Sequence, residues 1–217
     1  MQSSSMNTAS STLEKTVWTV LALVIIGIAL AFALSSRSNQ PAQEVPSLPV
    51  YAQIADFNLT NQIGRAVSLA DLKGRIWIAD IVFTRCAGPC PTMTRQMAGL
   101  QAALPVAVQY VTLTTDPEFD TPAVLKSYGE QFGADFGRWH FLTGSKREIG
   151  KLAIDGLKLT ALDIPAEKRA NDADLFVHST IFVLVDKQAR VRGTFESDEP
   201  EFKAKILAAI RQLEREK

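Results

Sequence analysis

Residues Ile76 to Thr94 read IWIADIVFTRCAGPCPTMT. Its first eight residues, Ile76 to Phe83, make a short apolar run rich in β-formers, the pattern of a buried central strand. Both cysteines of the chain follow, Cys86 and Cys90, separated by Ala-Gly-Pro and followed by Pro91. Helical spacing takes over from Thr92 to Ala103, with Met93, Met97 and Leu100 on one face. Strand, thiol-bearing loop and helix, in that order, put the sulfurs at the carboxyl end of a strand. That is the edge on which open α/β sheets bind their ligands.

Three chemistries compete for such a pair: a structural disulfide, a redox-cycling dithiol, or two thiolates for a soft metal. Free backbone N–H groups and the positive end of a helix dipole favour a thiolate, so the position predicts a pKa below the ordinary value of about 8.5. Two cysteines are too few to staple a scaffold. A zinc site of four cysteines is excluded, and one of two cysteines and two histidines would need every candidate in the chain. Those histidines are His140, inside RWHFLTG, and His178, inside DLFVHSTIFVLVD at the entrance of an apolar strand. Read alone, both fit structural hydrogen-bonders. Arg85 and Arg95 add positive charge near the thiols and read as solvated surface residues. A second loop, TTDPEFDTP (Thr114 to Pro122), should open on the same edge. There Asp116 and Asp120 fit turn and helix-cap chemistry, with electrostatic support of the cysteines as the alternative.

Working outward, Phe57 to Leu69 suggests a hairpin turning at Asn61 to Gly64, and Val106 to Leu113 a second buried strand. Thr121 and Pro122 read as N-cap and first residue of a helix reaching Phe132. Trp139 to Leu142 is strand-like and Ser145 to Leu152 a short helix, followed by a long loop over Ala153 to Leu175. Two strands, Ser179 to Val185 and Arg190 to Phe195, flank the turn Asp186-Lys187-Gln188-Ala189 and should be antiparallel. Glu201 to Leu213 closes the chain as an amphipathic helix. Strands alternating with helices, plus one late antiparallel pair, predict an α/β fold: a thioredoxin-like central mixed sheet flanked by helices.

The 217 residues carry 23 basic and 23 acidic side chains, so there is no basic footprint for a nucleic acid. The N-terminal part differs from the rest. After a polar tail (residues 1–16), Val17 to Leu34 reads VWTVLALVIIGIALAFAL, without a charge. Its roughly 18 residues, at about 1.5 Å each, nearly cross a hydrocarbon core of about 30 Å. This predicts a single transmembrane anchor over 17–34. Ala31-Phe32-Ala33 resembles a cleavage site, so a removed signal peptide is the alternative. Residues 35–49, with three prolines, read as a linker to a domain over 50–217. Either N-terminal reading exports the domain, to the periplasm or an equivalent compartment.

FTRCAGPCP, VTLTTDPEFDTP, WHFLTG and VHSTIFVLVD, in that order behind an anchor, resemble the Sco (SenC) family of membrane-anchored, thioredoxin-like copper proteins. The resemblance runs from about Val50 to the last helix. It implies that Cys86, Cys90 and His178 bind one copper ion, Cu(I) or Cu(II), with His140 a bystander. It also implies a partner: family members help load the binuclear copper centre of cytochrome c oxidase subunit II, or keep that subunit's cysteines reduced. The chain departs from the family inside the loop, where Pro commonly follows the first cysteine and Ala87 stands here.

Two functions of different class therefore stand side by side, a copper chaperone and a thiol-disulfide oxidoreductase. The missing proline before Thr180, where thioredoxin-like enzymes commonly carry a cis-Pro, counts against general disulfide exchange. A third reading, a peroxidase-like protein, would use Cys86 as attacking thiolate and Cys90 to resolve it. The donor of the copper is not legible.

Overall fold

The computed structural model describes residues 7–38, 47–159, 162–163, 176–177 and 180–216. They fall into two compact units, residues 1–46 and 47–217.

The first unit contains one helix, α1 (Asn7–Ser38). Its 32 residues correspond to about 48 Å of helix. The stretch Glu14–Phe32 is long and apolar enough to cross a membrane. Trp18, Leu23, Ile28 and Phe32 are exposed on different sides of it.

The second unit is built on an eight-stranded sheet. Its strands are β1 (Ala52–Gln53), β2 (Asn58–Asn61), β3 (Ala66–Ser68), β4 (Trp77–Val82), β5 (Gln109–Thr114), β6 (Trp139–Thr143), β9 (Ile181–Val185) and β10 (Arg190–Glu196). A separate two-stranded ladder pairs β7 (Leu162–Asp163) with β8 (Phe176–Val177). The sheet order is β1-β10-β9-β4-β5-β6-β2-β3. β4, β5 and β6 run parallel, while β9 runs antiparallel to β4 and β10 antiparallel to β9. The sheet is thus mixed, as the sequence pattern predicts. The predicted hairpin is β2–β3, turning through Gly64 at φ +77°, a conformation that suits glycine.

Strand alternation divides the core in two. Ile76, Ile78 and Val82 look toward α3 (Cys90–Ala103), α4 (Pro122–Gln131) and α6 (Phe202–Arg215), in one cluster with Met93, Met97, Leu125, Ile206 and Ile210. Trp77, Ala79 and Ile81 look the other way. They meet Leu72 of α2 (Leu69–Leu72), Ile149 of α5 (Lys146–Gly150) and Leu152 of a π-helical turn (Lys151–Gly156). Both faces of β4 and β5 are covered, which is why these strands read as nearly continuous apolar runs.

Several boundaries moved. α3 begins at Cys90, two residues before its periodic stretch, because Pro89 adopts a helical backbone and caps it. The short helix after β6 runs on as the π-helical turn to Gly156, and β7, inside the stretch expected as a loop, pairs with β8 just past its end. Thr121 caps α4 as expected, accepting the Val124 N–H at 3.4 Å, and Pro122 opens it.

At the end of the sheet where β9 turns into β10, Arg192 forms a buried clasp. Its guanidinium donates to Asp186 at 2.7 Å, to Glu216 at 2.6 Å and to the carbonyls of Leu48 and Pro49 at 2.6 and 3.2 Å. The first residues of the second unit are thereby fastened to its last helix.

Candidate functional site

β4 delivers the chain to the carboxyl edge of the parallel strands, where Phe83 to Pro89 forms the loop to α3. Cys86 ends a turn, its N–H bonded to the Phe83 carbonyl at 3.2 Å. Cys90 is the first residue of α3. The two cysteines are not joined by a disulfide; they are nearly enclosed, 5% and 2% exposed, and belong to the same core cluster. The structure brings the two sulfurs together, with a hydrogen bond between them.

That hydrogen bond, together with burial, raises the Cys90 pKa far above the ordinary thiol value. The expected lowering by the helix terminus does not occur at this residue, and the reason is local. Pro89 and Pro91 bracket Cys90 and have no N–H to offer, while the N–H groups of Thr92 and Met93 already bond the Pro89 carbonyl at 3.0 Å. A backbone hydrogen bond at Phe83 pulls in the lowering direction but is outweighed. Thr94 supports the first turn, donating to the Cys90 carbonyl at 2.9 Å and meeting the Tyr128 hydroxyl at 2.8 Å.

The second loop does open on this edge, and its two carboxylates do more than shape a turn. Asp120 is fully buried and accepts the Thr84 N–H at 3.1 Å along with the hydroxyls of Thr84 and Thr114. Burial raises its pKa even against those donors. Asp116 forms an ion pair with Arg85, whose guanidinium also lies 4.2 Å from the Phe119 ring centroid. Arg85 is therefore a half-exposed brace between the two loops, not a freely solvated charge. Arg95 is exposed on α3, as expected, with a weak contact to Thr92 at 3.4 Å.

Sequence reasoning passed over Asp80, in the middle of β4. It has no exposure, and neither carboxylate oxygen has a hydrogen-bond partner. Desolvation pushes its pKa up to about 7, with the Thr112 hydroxyl across the register and the backbone acting in the opposite direction. The signal was present: a single carboxylate interrupts an otherwise apolar central strand.

His140 lies in β6 between Trp139 and Phe141, whose side chains join the cysteine cluster, so alternation turns its ring to the opposite face. Burial lowers its pKa. His178 lies outside the described residues. Among the described residues no three His, Cys, Asp or Glu side chains gather as a metal site, and the soft donors at this edge are the two sulfurs. They are soft, adjacent and nearly dry, a donor set that suits Cu(I) better than any hard cation. β9 starts at this same edge, because Val183 pairs with Ala79 and Val185 with Trp77.

A groove of about 670 Å³ runs beside the thiol loop, lined by Thr84, Arg85, Pro91, Phe119, Val124 and Tyr128. A larger cavity of about 900 Å³, between Phe57 and the π-helical turn, includes neither cysteine in its wall.

Comparison with known proteins places these features in context. The family model described as SCO1/SenC matches residues 47–214. The SCO1 protein homolog of Bacillus subtilis is 35% identical over 147 residues, covering 66% of this chain and 73% of that protein. Among solved structures, one described as a disulfide switch in BsSco, a member of the Sco family of cytochrome c oxidase assembly proteins, is 31% identical with a TM-score of 0.67, covering 79% of this chain and 99% of that one. Bradyrhizobium japonicum ScoI with copper bound is 25% identical with a TM-score of 0.58, covering 75% of this chain and 99% of that one.

Proposed function

Because the chain belongs to the SCO1/SenC family, we propose that it is a membrane-anchored copper chaperone for cytochrome c oxidase, holding one copper through Cys86, Cys90 and His178. The observation that carries this reading is the pair of adjacent, nearly dry sulfurs at the carboxyl edge of β4. β9 opens on that edge three residues after His178 in the sequence, which suits an imidazole as third ligand. Two thiolates and one imidazole leave a coordination position open. A recipient's ligand entering there would let the ion pass by exchange. With Cu(I) the set carries one net negative charge, and the Arg85–Asp116 pair beside it is neutral as a unit. The recipient proposed is subunit II of the oxidase, whose binuclear centre needs copper and reduced cysteines. The α1 stretch supports an anchor, with the second unit on the exported side.

Anaerobic titration of the purified chain with Cu(I) tests the reading. One copper per chain is expected, with affinity lost by at least about tenfold on replacing Cys86, Cys90 or His178 by Ala. Undiminished affinity in His178→Ala rejects the three-ligand site.

A second reading has its own observation. The two thiols share a hydrogen bond at the start of α3, so the same pair suits reduction of a client disulfide. It requires both cysteines and not His178, and the two roles are compatible in sequence: target thiols are reduced before copper is loaded.

A further inference from the structure

The amino ends of β4, β5 and β6, the turn from β9 to β10 and the tip of the β2–β3 hairpin meet at one end of the second unit. The Gly74 N–H bonds the Lys187 carbonyl at 2.8 Å, the Gln109 N–H the Ile76 carbonyl at 3.0 Å, and the Tyr110 N–H the Arg138 carbonyl at 2.8 Å. The Gln62 side chain ties the hairpin tip to the Trp139 carbonyl at 3.1 Å. The cysteines follow the opposite end of β4, whose six residues span about 20 Å.

This end is positive. Lys73 and Arg75 flank Gly74, and the Gly74–Lys187 hydrogen bond brings Lys187 beside them. All three side chains are exposed, and among the described residues no carboxylate pairs with any of them. The carboxylates nearby are already held. Asp71 pairs with Arg65 at 3.8 Å, Asp135 with Arg138 at 3.3 Å, and Asp186 with Arg190 and Arg192 at 2.8 and 2.7 Å. Three cations are therefore left without internal compensation.

The same end is also apolar. Six large apolar side chains are exposed among the described residues of the second unit: Val50, Tyr51, Ile63, Val106, Phe119 and Ile154. Four of them belong here. Ile63 is 60% exposed at the hairpin tip, and Val106 is 75% exposed on the loop that enters β5. Val50 and Tyr51 follow Pro49, whose carbonyl accepts from Arg192 beside the β9–β10 turn. Scattered apolar residues or a few solvated cations need no explanation singly. Gathered on one end, cations and apolar side chains with a tyrosine match what a lipid headgroup layer offers: anionic phosphates above an apolar boundary.

We propose that this end of the second unit docks on a bilayer surface, Lys73, Arg75 and Lys187 binding anionic phospholipid headgroups while Ile63 and Val106 enter the interface. This rests on the reading of α1 as a membrane anchor. Each cation contributes little at a lipid surface, and three would not hold a free protein there. Residues 33–46 join the apolar stretch to this unit in the sequence, and so short a tether makes the encounter intramolecular, so that weak attraction suffices. Docked in this way, the domain holds its sulfurs at the far end of β4, turned away from lipid and toward a client in water.

The test reconstitutes the full chain in phosphatidylcholine vesicles with or without about one third phosphatidylglycerol, and measures acylation of each lysine by an uncharged reagent with mass spectrometry. Rates at Lys73 and Lys187 are read against Lys146 and Lys203, which open α5 and α6 at the thiol end. Both should fall by at least about fivefold in the anionic vesicles only, and recover in about 0.5 M salt. In Lys73→Glu/Arg75→Glu the slowing at Lys187 should vanish. Equal relative rates in both vesicle types overturn the proposal, as does slowing that ignores lipid charge or survives in the double variant. Slowing that needs an added acidic protein overturns it in favour of a protein partner. If the double variant does not fold, the lipid and salt comparisons on the parent chain decide alone. Flotation separates the two layers of argument. A chain that does not float with either vesicle removes the anchor and this proposal with it, whereas a chain that floats with both and reacts equally in both loses the docking only.

Discussion

Asp120 and Thr84 are joined twice: the Asp120 carboxylate accepts the Thr84 N–H at 3.1 Å and the Thr84 hydroxyl as well. Thr84 lies two residues before Cys86, so this pair fixes the loop that carries the first sulfur to the loop after β5. Replacing Asp120 by Ala takes the acceptor from three donors, the buried Thr114 hydroxyl and the half-buried N–H and hydroxyl of Thr84. Each such loss costs about 1–3 kcal/mol, and the total expected is at least about 3 kcal/mol. Denaturant unfolding checks the stability. The Cu(I) affinity of the same variant should fall, while Asp120→Asn, which keeps one acceptor oxygen, should lie between.

Copper uptake should release protons. The Cys90 thiol is held protonated at neutral pH by its hydrogen bond with Cys86 and by burial, and must lose that proton to become a ligand. Apparent affinity should therefore rise by at least about tenfold per pH unit across the neutral range. Calorimetric titration in two buffers of different ionisation enthalpy measures the proton count, and a value of zero contradicts the prediction.

Asp80 gives the chain a pH-dependent stability of defined sign. Its pKa is raised from 3.8 to about 7 on folding, so between those values the native state holds a proton that the unfolded chain has released. Stability from this group is present in full below pH 4 and falls as pH rises to 7. The span is worth up to about 4 kcal/mol at about 1.4 kcal/mol per unit. The advantage of Asp80→Asn over the parent chain should therefore grow by about that amount from pH 4 to pH 8, measured by urea unfolding at each pH.

Arg192 is the buried hub of the clasp with Asp186, Glu216, Leu48 and Pro49. Hydrogen bonds from the Arg190 N–H and from the Arg192 and Arg190 side chains outweigh burial and keep the Asp186 carboxyl below its usual value. Arg192→Met removes one partner of a buried pair and should cost about 3 kcal/mol, the lower end of the range for such losses, because Arg190 still pairs with Asp186. Thermal unfolding of the variant measures it.

What the sequence showed was what local rules govern. β4 is legible because both its faces are buried, and α4 because Thr121 and Pro122 punctuate its start. The cysteine loop is legible for the same reason, lying between a periodic strand and a periodic helix. The electrostatics of the thiols were not, since they depend on which N–H groups Pro89 and Pro91 remove and on how deeply Cys90 sinks. The cross-loop roles of Asp116 and Asp120 were hidden too, because an Asp-Pro turn looks alike whether its carboxylates meet water or Thr84. β1, only two residues long, owes its existence to pairing with β10, which no local pattern announces.

The Arg192 clasp has a mechanical consequence. It sits where β9 ends, beside Trp77 at the start of β4, and the thiol loop leaves from the other pole of that strand. Leu48 and Pro49 are thus held at one pole of the domain and the sulfurs lie at the other. Force applied to the backbone at Leu48 would be borne by β10 and α6, and would reach the sulfurs only through the length of β4.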